Sequence, residues 1–513
     1  MNSTWKSLLW KEWREQRWRL VALTVLLALP AIWFFSSIAV PAIMPFNLWD
    51  NLTILSAFAN CYIVLAAFFL GMHIAGSENA RCTTRFMQAV PTSMWRPGLA
   101  KLFVGCLVAV LPLVIFYTVI CTILPLLIDN NTLDAAIERL IKEFGTIVDI
   151  YGWSLYNLAI GTFGVTSLLL WMSAAGVNRS DEVRAGAIGF LVCGSVWMVF
   201  GFLAVWVENH NSLLGNGWLY LIPALPGGPA IALGMSAYRN NQLITPLLTI
   251  IGITSHGTIL YWYLKRFGRI AVPPKRARAS ELNFFRWTHK HTEPMRSQWR
   301  AIAWKQFRET GPLAAMAVFF VLLIVPIVYY FNSQYPSHSD FGEMLGGASL
   351  WAGFFVILVA GIGAYLEDLS PRVNNFWRSR PVNINLWFVV KYVVGLTVLA
   401  LAFGSLLTPA YWLEIHPAAD RIYWFIMAAF FATYSLALLY TISMASYCLL
   451  RQPIYAAVLT FGLLFGGIVL VRWLFYDTSQ SILFFTTLFV ALVSAITIAY
   501  LAVKHDWGWK EGR

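Results

Sequence analysis

The sequence predicts an all-α polytopic membrane protein with about twelve transmembrane helices, arranged as two pseudo-symmetric six-helix halves with interfacial and coupling helices. Three observations lead to this class. Apolar residues make up 59% of the 513 residues and charged residues only 12%, whereas average proteins have about 45–50% and 25%. Apolar runs long enough to cross a bilayer recur along the whole chain. A short sequence pattern also occurs twice.

The apolar runs account for roughly half of the chain, at about 20 residues for each crossing. They cover residues 20–40, 52–75, 101–128, 154–176, 187–207, 243–264, 312–331, 345–365, 386–409, 422–450, 454–475 and 482–503. The loops between them are short and leave no room for a soluble catalytic domain. We therefore expect no catalytic residues and no enzymatic activity in this chain.

The distribution of charge predicts the orientation. A net charge of +12, from 36 basic and 24 acidic residues, could indicate nucleic-acid binding or a topology signal. If the N-terminus is cytoplasmic and the runs alternate, all but five basic residues face the cytoplasm. Those five are Arg139, Lys142, Arg239, Arg421 and Arg472. Because cytoplasmic loops are enriched in Lys and Arg, we expect a multi-pass protein of the cell (inner) membrane with both termini cytoplasmic and no nucleic-acid partner.

One basic segment divides the chain. Residues 265–300 carry ten basic and two acidic residues, and they separate six apolar runs from six others. We therefore predict a first unit at 1–264, a basic cytoplasmic linker at 265–298 and a second unit at 299–513. The segment is typical of an anchor on the cytoplasmic side, which is the favoured interpretation. A site for anionic lipid head groups or for an acidic partner is the alternative.

A repeated pattern stands before the first run of each half. Residues 5–15 and 299–309 share five identical positions, Trp5/Trp299, Trp10/Trp304, Lys11/Lys305, Arg14/Arg308 and Glu15/Glu309. An amphipathic helix rich in Trp, Lys and Arg beside a span lies in the membrane interface. Both copies therefore predict interfacial helices that contact membrane lipids. The residues assigned to them are Trp5, Trp10, Lys11, Arg14, Trp299, Trp304, Lys305 and Arg308.

A second match follows the second run of each half. In residues 86–101 and 376–391 three pairs coincide without a gap, Phe86/Phe376, Pro91/Pro381 and Lys101/Lys391. Upstream of them, Glu78 falls opposite Asp368. Two matches in the same order and at nearly the same offset indicate an internal duplication. Lys101 and Lys391 open the next runs, and we expect their side chains to extend to the inner head groups.

The loop after the second run resembles the E…T-x-x-L-L-x-x-P-x-S…K pattern of ABC-2-type permeases, the membrane subunits of ATP-binding-cassette exporters. Glu78, Thr83, Phe86, Pro91 and Lys101 carry the resemblance. It implies a coupling helix near 78–93 that docks on an ATP-binding subunit. The second copy, near 368–383, would contribute Asp368, Phe376 and Pro381. That copy departs from the pattern, since Val373 stands where Thr83 does.

The resemblance also implies the partners. Two copies of a separate ABC ATPase subunit would bind ATP and Mg, and this chain would need no cofactor and no metal. A Gly-rich phosphate loop requires a Lys after Gly, and no Gly-Lys dipeptide occurs in the sequence. An outer re-entrant element is implied between the fifth and sixth runs, at residues 219–223. The transported substrate is not indicated.

Two other classes of function are weighed against the exporter. An ion-driven secondary transporter would need carboxylates within the membrane, and no Asp or Glu stands near the middle of any run. A non-transport assembly protein or intramembrane enzyme would need polar residues clustered at one depth. His256 is the candidate for function, although Ser255 or Thr258 could satisfy it. Cys61, Met72 and His73 could suggest a soft metal, but packing is favoured.

Overall fold

The computed structural model describes residues 2–39, 48–80, 93–129, 147–179, 182–210, 221–234, 244–268, 297–332, 341–366, 368–369, 374, 383–414, 421–475 and 481–507. Within these ranges the chain is helical apart from short turns and contains no β-strand. The predicted all-α class is therefore confirmed.

Thirteen helices are present in the described ranges. The first seven are α1 (Asn2–Ala39), α2 (Leu48–Ala80), α3 (Trp95–Asp129), α4 (Ile147–Gly176), α5 (Glu182–His210), the short α6 (Gly228–Gly234) and α7 (Ile244–Arg266). The other six are α8 (Gln298–Asn332), α9 (Phe341–Gly363), α10 (Ile384–Glu414), α11 (Arg421–Leu450), α12 (Pro453–Phe475) and α13 (Ser481–His505).

Each of the twelve predicted apolar runs falls on one long helix and extends at most two residues beyond its ends, and several helices begin well before their runs. In the part of the chain that is described, seven helices have an apolar stretch long enough to cross a membrane. They are α2, α3, α4, α9, α10, α11 and α13. Several long apolar helices thus suggest a membrane-embedded protein, and the crossing by the other five long helices stays a prediction.

The predicted interfacial helices are not separate elements. The patterns at 5–15 and 299–309 lie in the first turns of α1 and α8, which continue without a break into the apolar run. With 38 residues, α1 is about 57 Å long at 1.5 Å per residue, compared with a hydrocarbon core of about 30 Å. The first turns can therefore lie outside the core as part of the same helix, and their place in the membrane interface stays a prediction.

By its internal contacts the chain divides into two compact units. Unit 1 comprises Met1–Arg269 and Phe465–Thr478, and unit 2 comprises Ile270–Leu464 and Ser479–Arg513. The predicted boundaries at 264 and 299 stay a prediction, because most of the linker lies outside the described residues. In unit 1, α1 packs on α2 and α3, and α4 packs on α2, α3 and α7. In unit 2, α8 packs on α9 and α10, and α11 packs on α9, α10 and α13.

Two pairs of glycines mark equivalent close approaches inside the units. A Cβ on Gly71 of α2 would lie 2.9 Å from Met172 Cβ of α4, and a Cβ on Gly361 of α9 would lie 2.7 Å from Ser443 Cβ of α11. The next pair is Gly105 of α3 and Gly395 of α10. A Cβ on Gly105 would meet the Ile74 side chain of α2, and a Cβ on Gly395 would meet the Tyr440 side chain of α11. Each pair is 290 residues apart, the offset of the second sequence match.

The ends of two helices meet through left-handed residues in both units. In unit 1, Asn178 (φ 65°) follows α4, and its side chain bonds the Arg266 carbonyl and the Gly268 N–H beyond α7. In unit 2, Arg451 (φ 53°) follows α11 and forms an ion pair with Asp506 beyond α13. The backbone geometry is the same, although the side-chain chemistry differs.

Candidate functional site

Four charged side chains meet at one end of unit 2. Lys305 and Glu309 come from α8, Asp368 follows the last turn of α9, and Lys391 lies on α10. Asp368 pairs with both lysines through its two carboxylate oxygens. Glu309 lies 3.5 Å from Lys305 Nζ and 3.7 Å from Lys391 Nζ. The cluster, called the ion cluster below, joins three segments of the chain and contains equal numbers of positive and negative side chains.

A tight turn places Asp368 in the cluster. After α9, the Ala364 N–H still bonds the Ala360 carbonyl at 2.9 Å, and the Leu369 N–H bonds the Tyr365 carbonyl at 2.9 Å. Helix-like backbone bonds thus continue past the end of α9 and hold residues 364–369 near α10. The Ala364 carbonyl accepts a hydrogen bond from the Lys391 ammonium group. One ammonium group therefore holds both the carboxylate and the backbone that carries it.

Aromatic rings close the cluster around Lys391. Its Nζ lies 4.8 Å from the ring centroid of Tyr365 and 5.8 Å from that of Trp387. The rings of Tyr365 and Trp387 pack edge to face at 5.3 Å. A cation over such a face is attracted by the ring quadrupole, more strongly when water is excluded. Lys391 is only 1% exposed. The two rings and the Asp368 carboxylate replace the water that a buried ammonium group loses.

The electrostatics favour an ionised Asp368. Its side chain has no exposed surface. Burial alone would raise the pKa of this carboxyl, but Lys391 and Lys305 hold the pKa below its ordinary value. The carboxylate therefore stays charged at neutral pH. Since every charge in the cluster has a partner, the arrangement suits a mechanical connection better than acid–base chemistry.

The ion cluster is built from positions that the sequence repeat had paired. Lys305, Glu309, Asp368 and Lys391 correspond to Lys11, Glu15, Glu78 and Lys101. In unit 1, Lys101 is also 1% exposed, and Lys11 lies 3.7 Å from Glu12 and 4.0 Å from Glu15. Glu78 lies on the last turn of α2, with its side chain outside the described residues.

One prediction about these lysines is wrong. Lys101 and Lys391 were expected to extend toward lipid head groups, but both are buried. Lys391 turns inward because Asp368 and the Ala364 carbonyl offer it charge-assisted hydrogen bonds there. Lys305, assigned to the interfacial helix, likewise points to Asp368.

The other interfacial residues lie on the surfaces of α1 and α8. Trp10 is 65% exposed, and Trp299 and Trp304 are also exposed, as are Arg14 and Arg308. Trp5 is half-buried against the Trp95 ring at 5.9 Å. The remaining coupling residues lie outside the described residues, namely Thr83, Phe86, Pro91, Phe376 and Pro381.

Glu309 and the aromatic pair Tyr365 and Trp387 were not assigned to any site from the sequence. Glu309 carried a usable signal, because its identity with Glu15 is one of the five positions of the first match. Tyr365 and Trp387 carried none, since aromatic residues near span ends are common for interfacial reasons.

A second polar cluster lies inside unit 1. Residues 221–234, called the buried segment below, form a short turn and α6, which packs on α4. The segment begins within the residues where a re-entrant element was expected, of which 219–220 lie outside the described part. Its middle part, including Ile222 and Leu225, is buried, whereas Leu221, Ile231 and Leu233 are exposed. Gly227 has φ 73° and a Cβ on Gly228 would overlap the Ile222 carbonyl, so both positions require glycine.

Side chains from three long helices satisfy the backbone of the buried segment. Trp197 of α5 donates to the Pro226 carbonyl at 2.9 Å, and Ser255 of α7 donates to the Ala224 carbonyl at 2.9 Å. Ser167 of α4 accepts the Gly227 N–H at 2.8 Å. Non-helical backbone is tolerated at membrane depth only where protein or water satisfies it. These bonds meet that requirement.

His256 belongs to the same cluster. Its Nδ1 lies 2.9 Å from the Gly252 carbonyl, which can only accept, so Nδ1 carries a proton. In the neutral ring Nε2 then accepts from the Ser167 hydroxyl at 2.6 Å. The sequence suggested Ser255 or Thr258 as partners, and this was wrong: Ser255 bonds the buried segment and Thr258 bonds the Thr254 carbonyl.

In its described residues the protein is all-helical, and several long apolar helices suggest that it is membrane-embedded. It carries a buried ion cluster at one helix end and the partly non-helical segment 221–234. Comparison with protein-family models, with curated proteins and with solved structures gave no match.

Proposed function

We propose that the chain is the membrane subunit of an ATP-driven exporter of the ABC-2 type. It would form twelve spans in two pseudo-symmetric six-helix halves, and two copies of a separate ATPase subunit would bind ATP and Mg and supply the energy. The observation that carries this proposal is the ion cluster, which connects the start of the segment near 368–383 to α8 and α10.

The ion cluster suits the transmission of movement. In such an exporter, a displacement of the coupling segment by the ATPase must reach the spans. Asp368 stands at the first position of that segment and is bound to Lys305 of α8 and to Lys391 of α10. Removing one member of a buried charge pair is strongly unfavourable. A displacement of Asp368 would therefore carry both helices with it rather than leave them behind.

The matching geometry of the two units supports the two-half arrangement. The glycine approaches at Gly71 and Gly361 and the left-handed residues Asn178 and Arg451 occur at equivalent places. Two such units in one chain would offer two coupling segments. The first lies near 78–93 and the second near 368–383, and each would face one ATPase copy.

The positions of the buried acids favour an ATPase over an ion gradient as the energy source. Among the described residues, the two buried carboxylates are Glu12 and Asp368. Both lie toward helix ends and have a lysine within 4 Å. A coupling-ion site would instead place a carboxylate near the middle of a span.

The proposal is tested by purifying the tagged chain from its native membrane and identifying the proteins that accompany it. We expect an ATP-binding subunit at two copies per chain. Repeated recovery of the chain without any ATPase, under conditions that preserve other membrane complexes, would contradict the proposal.

The role of the ion cluster is tested in that complex. With Asp368→Asn, we expect the ATP hydrolysis rate of the complex to fall to that of the isolated ATPase. Asp368→Glu puts at position 368 the residue that the first repeat has at Glu78. With this variant we expect the complex to keep the ATP hydrolysis rate of the wild-type complex. Tyr392→Phe is the matched control, since it removes a hydrogen bond beside Lys391 on α10 and leaves the charges intact. Equal hydrolysis by the Asp368→Asn and wild-type complexes would exclude the coupling role.

A further inference from the structure

A groove of about 600 Å³ opens in unit 1 between the first turn of α3 and the last turns of α7. Its walls include Met94, Trp95, Tyr261, Leu264, Lys265 and Phe267. This volume falls within the range of about 300–1,000 Å³ that ligand pockets occupy. The groove lies where the basic segment begins, which the proposed coupling function does not use.

The two helix ends that form the groove are held in place. A Cβ on Gly98 would lie 2.9 Å from the Phe267 ring, so only glycine allows α3 to approach this closely. The Asn178 side chain bonds the Arg266 carbonyl and the Gly268 N–H. The groove is thus a formed surface rather than a gap between loose ends.

The chemistry of the groove changes across its width. Leu264, Phe267 and Met94 form an apolar floor. At the rim, Trp95 is 44% exposed and Tyr261 is 65% exposed. Rings of this kind, apolar with one polar atom, are typical of the boundary between hydrocarbon and water.

One cation, Lys265, lines the same rim, and a second, Arg96, follows Trp95 on the first turn of α3. Lys265 Nζ lies 5.7 Å from the Tyr261 ring centroid, and the Arg96 guanidinium lies 5.6 Å from the Trp95 ring centroid. Within the described part of the chain, neither cation forms an ion pair, and Arg96 Nε makes no hydrogen bond. A cationic rim attracts an anionic group, and an apolar floor can bury a hydrocarbon chain.

We propose that this groove binds one anionic phospholipid, with the phosphate between Lys265 and Arg96 and the upper part of an acyl chain on Leu264 and Phe267. The lipid would attach to the side of unit 1 at the predicted cytoplasmic boundary. The inference does not depend on an ATPase partner.

Unit 2 provides an internal comparison. At the equivalent helix ends, Lys504 Nζ lies 5.4 Å from the Tyr500 ring centroid, as Lys265 does over Tyr261. There the Tyr500 hydroxyl donates to Asn385 of α10 at 2.8 Å, and the Phe388 ring packs against Tyr500 at 5.5 Å. Asn385 takes the place of Trp95 at the offset of 290. This hydrogen bond ties α13 to α10 where unit 1 has its open groove, so the lipid site belongs to unit 1.

The test measures binding of short-chain phosphatidylglycerol to the purified full-length protein in detergent, by native mass spectrometry. The variant Lys265→Gln/Arg96→Gln should weaken the apparent affinity by about tenfold or more, because two charge-assisted hydrogen bonds are lost. Lys504→Gln is the matched control and should bind as the wild type does. Thermal unfolding of each variant verifies that the substitutions leave the fold intact.

Two competitors distinguish the sources of the anion. Short-chain phosphatidylcholine should bind more weakly than phosphatidylglycerol, and inorganic phosphate at equal concentration should not displace the lipid. Unchanged phosphatidylglycerol affinity in the double variant would overturn the proposal. Displacement by inorganic phosphate would also overturn it, since the acyl chain would then contribute nothing.

Discussion

The carboxylate of Asp368 shows how much one residue can depend on its neighbours. It has no exposed surface and is paired with Lys305 and Lys391. Without the carboxylate, the buried Lys391 would keep only Glu309, at 3.7 Å, as a charge partner. The cost of removing these charges from water offsets much of their attraction, so the pair adds little net stability. Removing one partner is nevertheless costly, because the other charge stays buried.

We expect Asp368→Asn to lower the free energy of unfolding by about 3–5 kcal/mol, the cost of removing one partner from a buried charge pair. The measurement is thermal unfolding in detergent, followed by tryptophan fluorescence. Tyr392→Phe should cost about 1 kcal/mol, the value of one hydrogen bond. Equal losses for the two variants would contradict the burial argument.

The contribution of Asp368 to the stability of the fold should depend on pH. The folded-state pKa of Asp368 lies below its ordinary value, so its contribution to stability is present above the ordinary pKa of about 3.9. That contribution is lost as the pH falls through the folded pKa. The difference in stability between wild type and Asp368→Asn should thus be constant from about pH 5 to pH 8.

The sequence identified the members of the ion cluster but not their contacts. The repeat singled out Lys305, Asp368 and Lys391, because each has a counterpart at a constant offset. It could not place them together, since Lys305 and Asp368 are 63 residues apart and meet only when α8, α9 and α10 pack. A lysine at the start of an apolar run extends outward by default, and the inward direction of Lys391 depends on that packing.

At the scale of an element, the contact between α9 and α11 depends on Gly361. A Cβ there would lie 2.7 Å from Ser443 Cβ and 2.8 Å from the Tyr440 carbonyl oxygen. Small residues at helix interfaces in membranes allow the backbones to approach closely. Gly363, two residues later, has no atom within 4 Å of its Cβ position. One helix thus carries both a constrained glycine and an unconstrained one.

We expect Gly361→Ala to cost about 1–3 kcal/mol of stability through overpacking. Gly363→Ala should be neutral or stabilising by up to about 1 kcal/mol, because alanine is the better helix former. Thermal unfolding of the two variants side by side checks this. A Gly361→Ala protein as stable as Gly363→Ala would show that α9 and α11 do not approach as described.

The helices themselves were predictable, whereas the buried segment was predictable only in part. Apolar length located every long helix, because a span needs about 20 apolar residues whatever its neighbours are. The turn formers between Pro223 and Pro229 indicated an irregular stretch. Its hydrogen-bond partners, Ser167 and Ser255, lie 60 and 31 residues away along the chain. No local pattern in the sequence could have identified them.

At the scale of the whole molecule, the number of crossings decides where the termini lie. Twelve crossings put both termini on the same side of the membrane. The seven helices of the described residues that are long and apolar enough by composition would put them on opposite sides. The distribution of basic residues favours twelve crossings, because that arrangement places all but five of the 36 Lys and Arg residues on one side.

Fusions of a fluorescent reporter that matures only in the cytoplasm test this orientation. Fusions at the N-terminus, after Arg278 and after Arg513 should all fluoresce. Fusions in the 129–150 and 208–242 loops should not, because these loops are predicted to face outward. Fluorescence at only one terminus would refute the twelve-span topology.

The buried segment also constrains the biogenesis of the protein. Its backbone groups rely on Ser167, which is made before it, and on Ser255, which is made after it. Exposed to lipid alone, the same backbone would leave polar groups unsatisfied at a cost of several kcal/mol each. We therefore expect the segment to reach its final place only after α7, which carries Ser255, has been synthesised. In a membrane protein inserted during synthesis, residues 221–234 would thus dock out of chain order, between helices made before and after them.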